Sequence, residues 1–348
     1  MKHFIYIFST VLVLVVISIF LFQSFSAKSA IKNQMADTLA RSQEMPQVVL
    51  VDVSPKPQAI TREISRVIMA DIPEAVSFAG EQAPLDIFYV REYLDRELTV
   101  NTHFHSSTIL LCKRANRWFP IIEPVLKENN IPDDFKYLAL IESGLENVAS
   151  PAGAKGFWQF MKRTAREYNL EVNSSIDERY NVEKSTVAAC QYLMDAYEEF
   201  GNWTLVAAAY NAGKRRISEE LDEQKTDNYY ELLLNTETAR YIFRILAIKT
   251  IFENPENYGF YLDPESLYPP VPVETITVNK TIKNLVDFAH DHKITYKTLK
   301  YFNPWLLRDH LPNNSQRTYS LKIPVDGNIS YSSIKEKHQQ EQASIKKN

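Results

Sequence analysis

A chain of 348 residues is long enough for one large domain and a small one. A hydrophobic fraction of 45% and a charged fraction of 24% are those of a globular protein. The formal charge of −4, with no long basic block, argues against nucleic acid as the main partner. The two cysteines, Cys112 and Cys190, make neither a metal-ligand spacing nor a disulfide framework. Cys190 falls in a helical pattern and reads as a small buried hydrophobe, with a Cys112–Cys190 bridge left open. The 19 tyrosines and 18 phenylalanines suit ring-stacking ligands as well as an ordinary core.

Phe4 to Phe22 is an apolar run unbroken by charge or proline, preceded by Lys2. It is long enough to span a bilayer and longer than a usual signal-peptide core, while Ser24 and Ser26 offer a small-x-small cleavage site. Residues 1–26 therefore read as a signal peptide or a membrane anchor, and the remainder as exported. Residues 27–80 are polar, β-branched and dotted with Pro46, Pro55 and Pro57, and read as a flexible linker.

From about Pro84 the pattern turns helical. Ile87, Val90, Tyr93 and Leu94 share one face, and Ile109, Leu110, Cys112 and the run Trp118 to Ile122 supply the next. The stretch Ile131 to Gly144 follows. Pro132 stands at a helix start that Asp133 or Asp134 can cap, and Gly144 stands at the stop. Phe135, Leu138, Ala139 and Glu142 fall on one face at helical spacing. A carboxyl on an apolar stripe, in the last turn of a helix, is pushed by desolvation and by the helix dipole toward its neutral form. That is the state a general acid needs at neutral pH.

After Glu142 comes a glycine-punctuated loop through Gly153 and Gly156 to Phe157, Trp158, Gln159, Phe160 and Met161. So short a segment is not expected to bury all three of its rings, leaving an aromatic and an amide to line a groove. Asn181 caps a helix to about Phe200 whose stripe is Val187, Cys190, Met194 and Tyr197, with Gly201 as its stop. Asn202 caps the next, closed by Gly213, with Tyr210 and Asn211 near its end. Asn235 or Thr236 opens a helix to about Phe252 that carries Glu237, Thr238 and Tyr241.

Four pieces then stand in fixed order: ALIESGL around Glu142, GAKGFWQFM around Gln159, AAYNAG around Tyr210 and ETARYI from Glu237 to Tyr241. Together they resemble the soluble-lytic-transglycosylase (SLT) catalytic domain, related to g-type lysozymes. The wording is most similar to the membrane-bound D-type branch of lytic murein transglycosylases. The one departure is Phe157-Trp158, where many relatives carry Leu-Met.

The resemblance implies a mainly α, lysozyme-like helical catalytic domain over 81–265. It implies Glu142 as the sole catalytic carboxylate, with Ser143 near the substrate's acetamido group. Gln159 and Met161 would line the sugar subsites, Tyr210 and Asn211 would position Glu142 and the reacting sugar, and Glu237 and Tyr241 would complete the groove. It implies peptidoglycan glycan strands as partner, no metal and no cofactor, and a place in the periplasm or cell envelope. A hydrolase on the same fold is the alternative enzyme, with Asp177 or Glu178 as the possible second carboxylate; an inactive peptidoglycan-binding protein is the alternative outside enzymes.

Pro269-Pro270 and Pro272 mark a boundary. Beyond them the alternating ETITVN reads as a strand, a stripe of Ile282, Leu285, Val286 and Phe288-Ala289 as a helix, ITYKTLKYF as another, and YSLKIPV as a closing strand. Strand, helix, helix, strand over 272–325 resembles a small α+β lysin-motif (LysM) module. Ile294, Leu299, Asn303-Pro304 and Leu321 to Pro324 carry the match. Asn279-Lys280 replaces the usual Gly-Asp, and the Pro-Gly before the last strand is missing. A module of this kind is expected to be separable, so removing residues from about Glu274 onward would leave the catalytic fold intact. Residues 326–348, rich in Lys, Gln, Ser and Glu, read as a disordered tail.

Overall fold

The computed structural model describes residues 69–345. The apolar run Phe4 to Phe22 and most of the expected linker lie outside the described residues. Among the described residues no helix is long and apolar enough to cross a membrane.

The fold begins before residue 81, inside the stretch expected to be linker. Strands β1 (Ser77–Phe78) and β2 (Glu81–Gln82) form a small antiparallel hairpin. Phe78 is fully buried, its ring edge-on to Phe135 at 4.9 Å. Both oxygens of the Glu81 carboxylate accept from the backbone N–H groups of Trp203 and Thr204, at 2.6 and 2.9 Å. A carboxylate on free N–H groups at a helix start is favourable in both hydrogen bonding and dipole. The hairpin is thereby fixed to the helical body.

That body is made of α1 (Phe88–His103), α2 (His105–Glu128), α3 (Phe135–Ser143), α4 (Lys162–Glu167), α5 (Val182–Phe200), α6 (Trp203–Ala212), α7 (Lys214–Gln224) and α8 (Thr236–Glu253). Two of them carry continuous buried apolar runs and are therefore central. In α6, Leu205 to Ala209 are each at most 2% exposed, and in α8 Ile245 to Ile248 are at most 1% exposed. Alanines 207 to 209 keep α6 thin enough for α5, α7 and α8 to pack on it. The helix starts follow local chemistry. The side-chain oxygens of Asn181, Asn202 and Asn235 accept from backbone N–H groups two or three residues on, as the sequence predicts. Gly201 ends α5 in the left-handed conformation.

Two helix faces are rotated from their predicted stripes. In α5 the buried line runs through Ala189, Leu193 and Ala196, while Val187 is exposed, because the small residues face α6. In α2, Leu110 is exposed while Cys112 and Ala115 are buried. Cys112 and Cys190 are buried free thiols, and burial pushes them up to about 11 and about 12.

The C-terminal module pairs β3 (Val273–Val278) antiparallel with β4 (Tyr319–Pro324), Val273 opposite Pro324 and Val278 opposite Tyr319. Between them lie α9 (Leu285–Asp291) and α10 (Tyr296–Phe302), giving strand, helix, helix, strand. Leu285, Ala289, Leu299, Leu311 and Leu321 form its core. Asn303, fully buried, clamps α10 to β4. Its amide donates to the Lys322 carbonyl at 2.7 Å and its oxygen accepts the Lys322 N–H at 2.8 Å.

Across its proline boundary the module shares a packed seam with the helical body. Its core includes Ile176, 1% exposed, which comes from the segment between α4 and α5 of the helical body. Ile176 forms a β-bridge with Leu306. The N–H of Asp177 donates to the Trp305 carbonyl at 2.9 Å and that of Leu307 to Ser175 at 2.8 Å. Glu171 accepts from Arg317 and the Tyr319 hydroxyl, at 3.0 and 2.9 Å. Of the stretch expected to be a tail, residues 326–345 are described. Tyr331–Ile345 is a helix, α11, with Ile334 buried and Lys335 paired with Glu265 at 3.1 Å.

Candidate active site

Glu142 sits in the last turn of α3, which ends at Gly144 in the left-handed conformation with its N–H bonded back to Leu140. Phe135, Leu138 and Ala139 are fully buried, and this face anchors the helix against α2 and α8. Asp134 occupies the cap position without capping. Its carboxylate instead takes Lys249 of α8 at 2.7 Å and the Ala79 N–H at 2.7 Å. One of the two residues expected to cap this helix is thus spent on fixing α3 to α8 and the hairpin.

Tyr241 of α8, 1% exposed, donates its hydroxyl to Oε1 of Glu142 at 2.5 Å. Burial pushes the Glu142 carboxyl above its ordinary range. The Tyr241 hydrogen bond and the nearby Arg244 cation pull it back in part, and Glu237 adds to the rise. Arg244 escaped the sequence reading. It lies three residues after Tyr241, so one face of α8 presents both, and it donates to the Ile141 carbonyl at 3.1 Å. A cation at the carbonyl end of α3 opposes the dipole there.

The loop after Glu142 folds back under it. All three rings expected to compete for burial are buried: Phe157 at 2%, Trp158 at 0% and Phe160 at 4% exposed. They find room because distant elements supply it. Trp158 donates to the Thr186 hydroxyl of α5 at 2.9 Å, Phe157 meets Trp118 of α2 edge-on at 5.0 Å, and Phe160 meets Tyr210 of α6. Gly156 lies so close to the Arg179 carbonyl that a Cβ there would stand 1.8 Å from its oxygen. Gln159 adopts φ +48°, uncommon for a non-glycine residue. Its amide donates to the Gly156 carbonyl at 2.7 Å.

The other predicted residues divide. Ser143 accepts the Leu145 N–H and donates to the Phe157 carbonyl at 2.9 Å, joining helix end to loop. Tyr210 donates to the Trp158 carbonyl at 2.6 Å, and burial beside Glu142 raises its hydroxyl well above the ordinary range. Asn211 accepts from Thr238 at 2.9 Å, tying α6 to α8. Met161 and Glu237 are exposed. A cleft of about 700 Å³ lies between the body and the C-terminal module, but Glu142, Gln159, Tyr210 and Tyr241 do not line it.

Asp177 and Glu178, the possible second carboxylates, are occupied. Asp177 is 2% exposed and held by both Nε and Nη2 of Arg179 at 2.8 Å, with Lys155 at 3.4 Å. Burial alone would raise it, but these cations hold it below the ordinary range. Glu178 accepts the Glu171 N–H at 2.8 Å and pairs with Lys184. Among the described residues no cluster of His, Cys, Asp or Glu has the arrangement of a metal site.

A carboxyl raised by burial in the last turn of a helix, with a tyrosine on it and a pinned loop beside it, sits in a stretch with a known counterpart. Residues 119–233 match the family described as Transglycosylase SLT domain. The chain carries a transglycosylase SLT domain. Residues 274–327 match the family described as Soluble lytic transglycosylase C-terminal LysM-like domain. The chain is similar to membrane-bound lytic murein transglycosylase D of Escherichia coli, 30% identical over 195 residues, which are 53% of this chain and 42% of that protein. It therefore spans less than half the length of that relative. Among solved structures, the 70 kDa soluble lytic transglycosylase of Escherichia coli matches 40% of this chain and 24% of its own, at 24% identity and a TM-score of 0.34. The lytic transglycosylase Slt of Pseudomonas aeruginosa matches 53% of this chain and 36% of its own, at 19% identity and the same score.

Proposed function

We propose that this protein is a peptidoglycan lytic transglycosylase. It cleaves the β-1,4 bond between N-acetylmuramic acid and N-acetylglucosamine without water, leaving 1,6-anhydro ends. The supporting observation is Glu142, a carboxyl driven toward its neutral form by burial within the matched SLT domain, with Tyr241 on one oxygen.

A neutral Glu142 can protonate the oxygen leaving the muramic acid C1, as general acid. The sugar's own N-acetyl group is then the natural partner for the positive centre, so a second protein carboxylate is not required. The resulting carboxylate is favoured by the Tyr241 hydroxyl and by Arg244. It takes the proton of the C6 hydroxyl as that oxygen closes onto C1, and Glu142 ends the cycle protonated as it began. The ion-paired state of Asp177 and Glu178 agrees with a single-carboxylate scheme. Gln159, Met161, Asn211 and Glu237 are proposed to contact the glycan around this centre, and Ser143 and Tyr210 to hold helix end and loop in register. The work is placed outside the cytoplasmic membrane, in the cell envelope. Phe4 to Phe22 would serve as anchor if it is retained, and the LysM-like module as a second contact to peptidoglycan.

The test is digestion of purified glycan strands by wild type and Glu142→Gln, with product masses. Anhydro ends lighter by one water than reducing ends are expected from wild type. The variant should lose on the order of 10²–10⁴-fold in rate or more. Reducing ends from wild type would instead make the protein a hydrolase, and a Glu142→Gln variant of near-normal rate would end the assignment of the acid.

A further inference from the structure

We propose that the C-terminal module sets the geometry of the active-site loop through Asp177 and Arg179, which makes Arg179 a positioning residue for the transglycosylase reaction. The inference rests on the reading of Glu142 and Gln159 as the reacting site, and adds to it how the site is held. The connection is continuous and short. The Trp305 carbonyl of the module accepts the Asp177 N–H at 2.9 Å, while Ile176, the residue before, is sealed in the module's core. The Asp177 carboxylate fixes the Arg179 guanidinium at two points, both 2.8 Å.

The remaining nitrogen of that guanidinium, Nη1, donates to the carbonyls of Gly153 and Phe160, both at 3.0 Å. These two residues bracket the loop that carries Gln159. Lys155, inside the loop, bridges Ala149 and Phe160 and reaches Asp177 at 3.4 Å. The Arg179 carbonyl fills the space where Gly156 lacks a side chain. From the loop, the Phe157 carbonyl takes the Ser143 hydroxyl, next to Glu142, and the Trp158 carbonyl takes Tyr210. Only a planar fork can hold a carboxylate with two nitrogens and still present the third to two carbonyls.

A buried ion pair that merely stabilised the fold would have no reason to span both ends of this loop. A loop held at both ends by one rigid group is preorganised for its ligand, and small displacements of such a group can cost up to about 10²-fold. The expectation is that loosening the fork acts on the use of substrate by molecules that remain folded.

The experiment compares wild type, Arg179→Lys and Ile176→Val in the chain carrying both domains. It uses glycan strand fragments of defined length, with folded fraction measured by circular dichroism at each assay temperature. Arg179→Lys keeps the charge but not the fork. It should raise KM or lower kcat per folded molecule by about 10-fold, with anhydro products unchanged in kind. Ile176→Val, a mild loosening of the docked module, should move kcat/KM in the same direction by a smaller factor. The double variant should fall short of the product of the two single effects, since both act through one connection. If Arg179→Lys does not fold, the Ile176→Val kinetics, together with amide exchange over 153–160, decide the matter. Unchanged kcat and KM per folded molecule, with only the melting temperature lowered, would overturn the proposal and leave Arg179 a structural residue. Absence of anhydro ends from wild type would count against the transglycosylase reading itself, whichever way the variants behave.

Discussion

Two carboxylates in this molecule, the half-buried Glu142 and the buried Asp177, have opposite fates. Glu142, at the end of α3, is raised by burial, with one tyrosine hydroxyl and a more distant arginine in partial compensation. Asp177, at the seam with the C-terminal module, is lowered, because a forked guanidinium and a lysine compensate burial in excess. The partners that each carboxyl finds set the direction of the shift. Where desolvation is left unbalanced, a carboxyl is kept ready to move a proton; where it is overbalanced, a carboxylate becomes a fixed strut. The proton-moving site is built from elements of the helical body alone, and the strut joins two parts of the chain.

The widest test of this contrast removes the module. Ending the chain before Glu274 uncovers Ile176, whose burial is worth about 1.5–3 kcal/mol. It also strips the Asp177 N–H of its partner, at about 1 kcal/mol or more. Thermal melting of the truncated chain should therefore fall by more than 5 °C. An unchanged melting temperature would mean that the seam contributes nothing. Of comparable size, Asp177→Asn leaves Arg179 buried without its counter-charge, which costs roughly 3–5 kcal/mol for pairs of this kind. The pH dependence has a definite sign. The folded-state carboxyl is lowered, so its stabilisation is present above the ordinary carboxylate range and is lost as pH falls through the folded value. Wild type and Asp177→Asn should thus converge in denaturant midpoint toward strongly acid pH and diverge at neutral pH.

What could be read in the sequence is what is local. The caps Asn181, Asn202 and Asn235 work within three residues of themselves, and the stripe Phe135, Leu138, Ala139, Glu142 needs only helix geometry. The strand, helix, helix, strand order of the module is likewise a matter of local periodicity. What was hidden depends on partners far along the chain. Asp134 forgoes its cap for Lys249, and Trp158 is buried because Thr186 offers a hydroxyl. Ile176, one apolar residue in a polar stretch, belongs to a core whose other members begin at Leu285. Arg244 reaches the end of α3 from α8, with nothing in its own neighbourhood to mark it.

Within the site itself, Tyr241→Phe removes the hydroxyl that favours the ionised form of Glu142. The folded carboxyl should then rise further, so the limb of the pH–rate profile on which protonated acid is lost should move to higher pH. Hydrogen bonds to charged groups are worth about 1.5–3 kcal/mol, so kcat/KM at the optimum should fall by about 10-fold or somewhat more. A profile that moves to lower pH, or not at all, would mean that Tyr241 does not govern the proton on Glu142.

The smallest effect concerns stability at the same residue. The folded Glu142 carboxyl lies above its ordinary value of 4.5, so the folded state holds its proton more tightly than the unfolded chain. The contribution of this group to folding is then fully present at pH below 4.5 and is lost as pH rises from there through the folded value. An amide never ionises, so Glu142→Gln escapes this loss, though it keeps a weaker partner for Tyr241. The variant should melt slightly higher than wild type at neutral pH, by about 2–4 °C for each kcal/mol relieved. Below pH 4.5 the two should melt together. Asp177→Asn should show the reverse, a variant less stable at neutral pH. If Glu142→Gln instead behaves like Asp177→Asn, its carboxylate is compensated rather than strained, and the contrast between the two sites disappears.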